Sequence, residues 1–160
     1  MNIAVVYYSM SGNTKYVAEK VAEALGADLV PLVPRKAYPD SGFKKFFWGG
    51  KSALMGEKPA LEPYVFDALA YDLIVFGSPV WAGTFAPPLR TFMEDNREAL
   101  QGKSTACFFC CSGGPGKVVD RFNAFHNDGR SKQELILIDP KDKPTADSED
   151  KIQSFCNALK

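Results

Sequence analysis

Short apolar runs alternate with helix-patterned segments along almost the whole chain, and this alternation restricts the fold more than any other feature of the sequence. Five runs are rich in strand-forming residues: Ile3–Tyr8, Asp28–Val33, Tyr71–Gly77, Ser104–Cys111 and Glu134–Asp139. Helical patterns cover Thr14–Leu25, Ala86–Leu100, Gly116–Asn127 and Ser148–Leu159. Right-handed βαβ crossovers place helices on both faces of a parallel sheet. The sequence therefore predicts an α/β fold with a doubly wound, five-stranded parallel sheet in the order 2-1-3-4-5.

The first strand passes directly into the first helix through an unusually polar turn. The turn SMSGNT contains Ser9, Met10, Ser11, Gly12, Asn13 and Thr14. Four of these side chains can form hydrogen bonds, and Gly12 allows the backbone to turn sharply. A helix start offers free backbone N–H groups and positive potential, so the turn suits an anion. The alternative is that these residues are ordinary N-caps of the helix.

Two more loops follow strands at the same predicted edge of the sheet. The loop after the third strand, Ser78 to Pro88, begins with Ser78, Pro79, Val80, Trp81, Ala82 and Gly83. The loop after the fourth strand begins with Ser112, Gly113 and Gly114. Ligands of doubly wound sheets bind beyond the carboxyl ends of the strands, at the point where the strand order reverses. The three loops are therefore expected to converge on one binding site.

Composition narrows the class of protein. The chain has 160 residues, of which 46% are hydrophobic, and its formal net charge is zero. These values favour a single domain over residues 1–160 and no nucleic-acid or membrane partner. No apolar stretch approaches the length of a membrane helix, so a cytoplasmic location is expected. Cys107 and Cys110 form a CxxC pattern, but an odd spacing on a strand sends the two side chains to opposite faces. Buried structural thiols are thus favoured over a metal or redox site, and no metal site is predicted.

The turn matches the phosphate loop [ST]-x-[ST]-G-[NT]-T, so the chain resembles the flavodoxin family over essentially its whole length. The resemblance implies a flavodoxin-like fold and non-covalent binding of FMN. The FMN phosphate would lie on the hydroxyls of Ser9, Ser11 and Thr14 and on the backbone amides of Met10, Gly12 and Asn13, without a fixed cation.

The resemblance also implies roles for the other two loops. Trp81 would form a wall for the flavin ring, although a core tryptophan is the alternative. Gly83 would bring its peptide close to N5 of the ring, and the amides of Ser112, Gly113 and Gly114 would meet the pyrimidine side. This third loop lacks the second aromatic residue that many family members place there.

The family resemblance favours an FMN-binding electron-transfer protein, which is an oxidoreductase of electron transport. It would carry electrons from a reductase to an acceptor, and the sequence names neither partner. The alternative is an NAD(P)H-dependent FMN or quinone reductase. A reductase needs a cationic site for the NADPH 2′-phosphate, for which Arg90 is the nearest candidate. No catalytic residue is predicted, and a monomer or weak dimer is expected.

Residues 35–64 stand where a second crossover belongs, and they resemble the insert of a subgroup of small flavodoxin-like proteins. A short helix is expected from about Phe43 to Met55. In one interpretation this helix packs its apolar residues onto the sheet, namely Phe43, Phe46, Phe47 and Leu54. In the other, the basic insert is a lid or docking surface with Trp48 near the ring.

Overall fold

The computed structural model of the protein describes residues 1–39, 49–126 and 131–160, and in these ranges strands and helices alternate. The strands are β1 (Ile3–Tyr7), β2 (Asp28–Pro31), β3 (Leu73–Trp81), β4 (Thr84–Phe85), β5 (Ser104–Cys111) and β6 (Glu134–Ile138). The helices are α1 (Asn13–Leu25), α2 (residues 49–54), α3 (Pro87–Asp95), α4 (Arg97–Leu100), α5 (Val118–His126) and α6 (Ala146–Leu159). A short 3-10 helix covers Ala68–Ala70.

The sheet order is β2-β1-β3-β5-β6, and these five strands pair in parallel. Counted among themselves, they have the predicted order 2-1-3-4-5, which confirms the fold class. The sheet also has a sixth strand that was not predicted, because β4 pairs antiparallel with the end of β3. This addition is a hairpin at the carboxyl edge, where the predicted loops lie.

The sheet separates two apolar cores. Alternate residues of a strand point to opposite faces, so Val5 packs with α1 and α6 while Val6 packs with α3 and α5. On the first face, Val17 and Val21 of α1 are fully buried, as their spacing of four residues predicts. Helix α1 ends at Gly26, whose left-handed φ of 63° closes the helix as expected.

Several predicted boundaries were wrong. Strand β3 continues four residues past Gly77, because Ser78 and Pro79 remain paired with β5 despite being typical turn residues. The predicted helix from Ala86 to Leu100 is two helices, interrupted at Asn96. The Asn96 side-chain amide donates to the Phe92 carbonyl at 2.8 Å, and such local bonds compete with the helical pattern.

Among the other ends that shift by one or more residues are the starts of three helices. Helix α1 begins at Asn13 rather than Thr14. Helix α6 is capped by Thr145, whose hydroxyl accepts a hydrogen bond from the Ser148 N–H at 3.0 Å, and not by Asp147 or Ser148 as the sequence suggested. Helix α5 begins at Val118, after a turn, rather than at Gly116.

The insert is described only in part. Phe43, Phe46, Phe47 and Trp48 lie outside the described residues, so the structure does not test the roles predicted for them. Leu54 is 62% exposed and therefore does not pack onto the sheet as one interpretation required. Within the described ranges, no helix has both the length and the apolar character needed to cross a membrane.

Candidate functional site

A cleft of about 410 Å³ lies at the carboxyl edge of the parallel strands. It is lined by Met10, Ser11, Asn13, Thr14, Gly50, Pro79, Val80, Trp81, Ala82, Gly83, Cys110, Cys111, Ser112, Gly113, Gly114 and Asp139. All three predicted loops contribute, so the fold brings together segments separated by as much as a hundred residues of sequence. The volume lies in the range of small-molecule and cofactor sites.

The polar turn has the backbone of an anion site. Gly12 takes a left-handed φ of 98° at the N-terminal end of α1. The first helical hydrogen bond runs from the Tyr16 N–H to the Gly12 carbonyl at 3.0 Å. The N–H groups before Tyr16 therefore lie in the first turn of the helix, where helical backbone donors have no carbonyl to bond. The helix dipole adds positive potential at this position.

The side chains of the turn do not cap the helix. No side-chain cap hydrogen bond is formed at the start of α1, which removes the explanation that these residues are ordinary caps. Ser9 Oγ is buried and has no hydrogen-bond partner among the described residues. Because a buried hydroxyl without a partner costs free energy, the site is built for an additional acceptor or donor. Thr14 is also buried, whereas Ser11 is exposed.

Asn13 links the turn to the segment that follows β6. Its side-chain oxygen accepts the Lys141 N–H at 2.9 Å, and its amide donates to Asp142 Oδ2 at 2.9 Å. The Asn13 side chain thus fixes two parts of the cleft to each other. The sequence analysis assigned a binding role only to the backbone of this residue.

The β3–β4 hairpin supplies the second wall of the cleft. Its turn places Ala82 at φ 50° and Gly83 at φ 70°, as two-residue hairpin turns of this hand require. Arg121 of α5 donates from Nη1 to the carbonyls of both turn residues, at 3.2 and 3.3 Å. These bonds hold the turn in one orientation beside the cleft.

Ser78 is buried away from the cleft. Its hydroxyl accepts the Ala86 N–H at 2.8 Å and donates to the Pro79 carbonyl at 2.8 Å. Ser78 thereby ties both ends of the hairpin together. Of the fifteen predicted site residues, Ser9, Gly12 and Ser78 are the three that do not line the cleft, although Ser9 and Gly12 shape the turn beside it.

Trp81 lines the cleft and is held by other aromatic rings. Its ring contacts Tyr8 and Tyr38 edge-on, with centroid distances of 5.6 and 5.1 Å. A Cβ atom placed on Gly49 would lie 3.3 Å from the indole, so the insert also packs against this ring. Burial raises the pKa of Tyr8, and it raises the pKa of Tyr38 to about 12. Both phenols therefore remain neutral near pH 7.

The third loop is the open side of the cleft. Ser112, Gly113 and Gly114 are exposed. A Cβ atom on either glycine would meet no atom within 4 Å. Backbone amides of this loop are therefore accessible to a bound molecule. As the sequence indicates, no aromatic side chain of this loop covers the cleft.

The sequence analysis missed four lining residues: Gly50, Cys110, Cys111 and Asp139. Asp139 follows β6 directly, and its carboxylate pairs with Lys143 at 3.4 Å. Since ligands lie beyond the carboxyl ends of parallel strands, the end of the fifth predicted strand was the signal that could have identified it. Within the described part of the chain, no group of three or more potential metal ligands occurs.

Comparison with known proteins gives one family. The sequence model of the family described as Flavodoxin matches residues 2–157. The match covers every described strand, helices α1 to α5, all but the last two residues of α6, and all three loops of the cleft.

Solved structures share this fold over nearly the full chain. A flavoprotein from Lactobacillus acidophilus NCFM, determined in complex with FMN, is 24% identical, with a TM-score of 0.75; the match covers 96% of this chain and 97% of that one. The apo form of the flavoprotein from the same organism is 26% identical, with a TM-score of 0.64 and coverage of 90% and 97%. Two-electron reduced flavodoxin from Megasphaera elsdenii is 18% identical, with a TM-score of 0.60 and coverage of 98% and 96%.

Proposed function

The chain belongs to the flavodoxin family, and we propose that it binds FMN and carries electrons between larger redox proteins. The observation that carries the proposal is the cleft beside the turn Ser9–Thr14, into which three loops converge. The FMN complex of the similar flavoprotein from Lactobacillus acidophilus supports the choice of cofactor. FMN supplies the redox chemistry when bound, because its flavin ring accepts and releases electrons.

The phosphate fits the polar turn. A phosphate is an acceptor of several hydrogen bonds, and the turn offers the N–H groups at the start of α1 together with the Ser9 hydroxyl, which has no partner among the described residues. Thr14 and Ser11 add two further hydroxyls beside the cleft. The turn therefore binds the phosphate and orients the rest of the cofactor.

The flat ring fits the remainder of the cleft. Trp81 provides an apolar wall, and the backbone of Ala82 and Gly83 lies at the same wall. The exposed loop Ser112–Gly114 offers amides to the polar edge of the ring. The residues of this chain thus hold the ring with one side open, as electron transfer to a docked protein requires.

The structure does not favour the reductase alternative, because the cation expected to bind NADPH is engaged elsewhere. Arg90 was the candidate for the NADPH 2′-phosphate, but its guanidinium lies over the rings of Phe85 and Phe125, with centroid distances of 4.8 and 4.4 Å. Burial lowers the pKa of Arg90, as expected of a guanidinium packed inside the fold. A side chain held in this way cannot reach a nucleotide without losing both contacts. This geometry favours the carrier.

The partners of the carrier are a reductase that donates electrons and an acceptor protein. Many electron carriers dock through a strongly acidic face, whereas this chain has a net charge of zero. We therefore expect docking that depends less on ionic strength than that of acidic carriers. The four cysteines are free thiols, which suits the reducing cytoplasm.

Anaerobic reduction of the FMN-loaded protein tests the proposal. We expect the flavin absorbance to persist with NADH or NADPH alone, because Arg90, the candidate cation for the nucleotide, packs against Phe85 and Phe125. Addition of a catalytic amount of a flavoprotein reductase should then bleach it. Measurement of the visible spectrum against time follows both stages, and the same reductase with an equal amount of free FMN is the control for transfer through unbound cofactor.

Rapid bleaching by NADPH alone, followed by reoxidation with a quinone, would contradict the carrier and support the reductase. Failure of the purified protein to retain FMN on gel filtration would contradict the cofactor assignment itself. The two results are distinguishable, since bleaching by NADPH alone can be observed only in protein that has retained FMN.

A further inference from the structure

Lys141 extends its ammonium group to the polar turn. A Cβ atom placed on Gly12 would lie 2.9 Å from Lys141 Nζ, with two further atoms of the same side chain at 3.5 and 3.6 Å. The ammonium group is therefore in close contact with the backbone at the start of α1. A side chain at position 12 would displace it, so Gly12 is needed both for its positive φ and for this contact.

The segment that carries Lys141 is firmly positioned. Its own N–H donates to the Asn13 side chain at 2.9 Å. Asp139, which begins the segment, donates its N–H to the Cys111 carbonyl at 3.0 Å, and the Lys143 N–H donates to the Asp139 carbonyl at 2.7 Å. These bonds attach the segment to both α1 and β5. The backbone of Lys141 is therefore held beside the turn.

The positive charge of Lys141 is not neutralised by any carboxylate that the structure describes. No carboxylate lies within ion-pair distance of it in the described ranges, while the other charges nearby are engaged. The Asp142 carboxylate accepts from Asn13, Asp139 pairs with Lys143, and Lys15 pairs with Glu19 at 3.7 Å. An uncompensated cation in contact with an anion-binding turn favours an anion there.

We propose that Lys141 is a phosphate-binding residue that makes this chain select FMN over the uncharged riboflavin. The inference rests on the proposed function and departs from the expectation that the turn holds the phosphate without a fixed cation. A lysine ammonium acts as a point charge that strengthens hydrogen bonding to a phosphate oxygen. Since Lys141 is solvent-exposed, water and salt reduce this contribution without removing it.

Affinity measurements with Lys141→Gln test the proposal. We expect the variant to lose roughly tenfold in FMN affinity, the scale of one partly exposed charge-assisted hydrogen bond. Its riboflavin affinity should equal that of the wild type. The wild-type Kd for FMN should also rise more steeply with salt than that of the variant. Quenching of flavin fluorescence measures all these constants without any enzymatic assay.

Two variants provide the controls. Lys15→Gln removes an equal charge from the first turn of α1, where Lys15 already pairs with Glu19, and it should leave both affinities unchanged. Lys141→Arg keeps the charge and should retain most of the FMN affinity. Riboflavin binding by every variant shows that the cleft has folded.

Three results would overturn the inference. The first is unchanged FMN affinity in Lys141→Gln, and the second is an equal loss of FMN and riboflavin affinity in that variant. The third is a loss of FMN affinity in Lys15→Gln as large as that in Lys141→Gln, which would indicate a general effect of positive charge rather than a contact with Lys141. All three leave the proposed function intact, because FMN still binds in the wild type. Absence of FMN binding by the wild type overturns both.

Discussion

The indole of Trp81 is both a packed ring and a wall of the cleft, so the two interpretations of this residue are not exclusive. Tyr8 and Tyr38 contact it edge-on, and Gly49 lies beside it. Edge-to-face aromatic contacts of this kind fix a ring in place. A ring held in this way can stack on a flavin without first losing side-chain entropy.

FMN should quench the fluorescence of Trp81, because the ring lines the cleft that we assign to the flavin. In Trp81→Phe most of this quenching should disappear, although Trp48, the other of the two tryptophans, remains. Titration of the protein with FMN, with emission recorded above the tyrosine band, measures the effect. Unchanged quenching in Trp81→Phe would contradict the placement and would instead indicate that Trp48 lies near the ring.

Two loops of the cleft contact each other through glycines before any ligand binds. Gly116 has a φ of 55°, and a Cβ atom on it would lie 2.7 Å from Gly83 Cα. Arg121 reinforces this contact by donating to the carbonyls of the hairpin turn. The β3–β4 hairpin and the loop after β5 therefore form one preorganised wall.

Gly116→Ala should weaken FMN binding, because the new methyl group meets backbone atoms of Gly83 and must separate the two loops. The free energy of unfolding should fall by about 1–3 kcal/mol, the usual cost of a strained positive φ. Gly102→Ala is the matched control, since Gly102 has a φ of 72° and a Cβ there would meet nothing within 4 Å. It should lose stability without loss of FMN affinity. Calorimetric titration and urea unfolding separate the two effects, and wild-type FMN affinity in Gly116→Ala would disprove the role of the contact.

Sequence patterns predicted the elements of this fold better than their ends. The apolar runs and the helical spacing depend on local periodicity, and these gave the parallel sheet and its strand order. The end of β3 was missed because Ser78 and Pro79 are common in turns, while their pairing with β5 is a tertiary effect. The link from Asn13 to Lys141 joins residues 128 positions apart. No local pattern indicates such a bond, which is why a charged residue at the turn could not be predicted.

The two apolar cores determine what the cysteines can do. Cys107 packs in the core beneath α3 and α5, and Cys110 packs in the core beneath α1 and α6. The central sheet lies between them, so the CxxC pattern does not bring the thiols together. Both are buried, as the sequence analysis expected, and both are free thiols.

Burial of these thiols predicts a loss of stability at alkaline pH. Burial raises the pKa of Cys107 and of Cys110 from 9.0 to about 12. Because the folded pKa lies above the unfolded value, the stabilisation is complete below pH 9.0 and is lost as the pH rises towards 12. Each thiol contributes a slope of up to about 1.4 kcal/mol per pH unit in this window.

Urea unfolding of the protein under reducing conditions, repeated across this pH window, measures that slope. Cys107→Ala removes one ionisable group and should make the slope shallower by up to about 1.4 kcal/mol per pH unit, while its loss of packing lowers the stability equally at every pH. The residual slope belongs to the other groups whose pKa burial raises, among them Cys110, Tyr8 and Tyr38. An identical slope in the wild type and Cys107→Ala would show that Cys107 ionises without unfolding the core, and that the face of the sheet beneath α3 and α5 admits water.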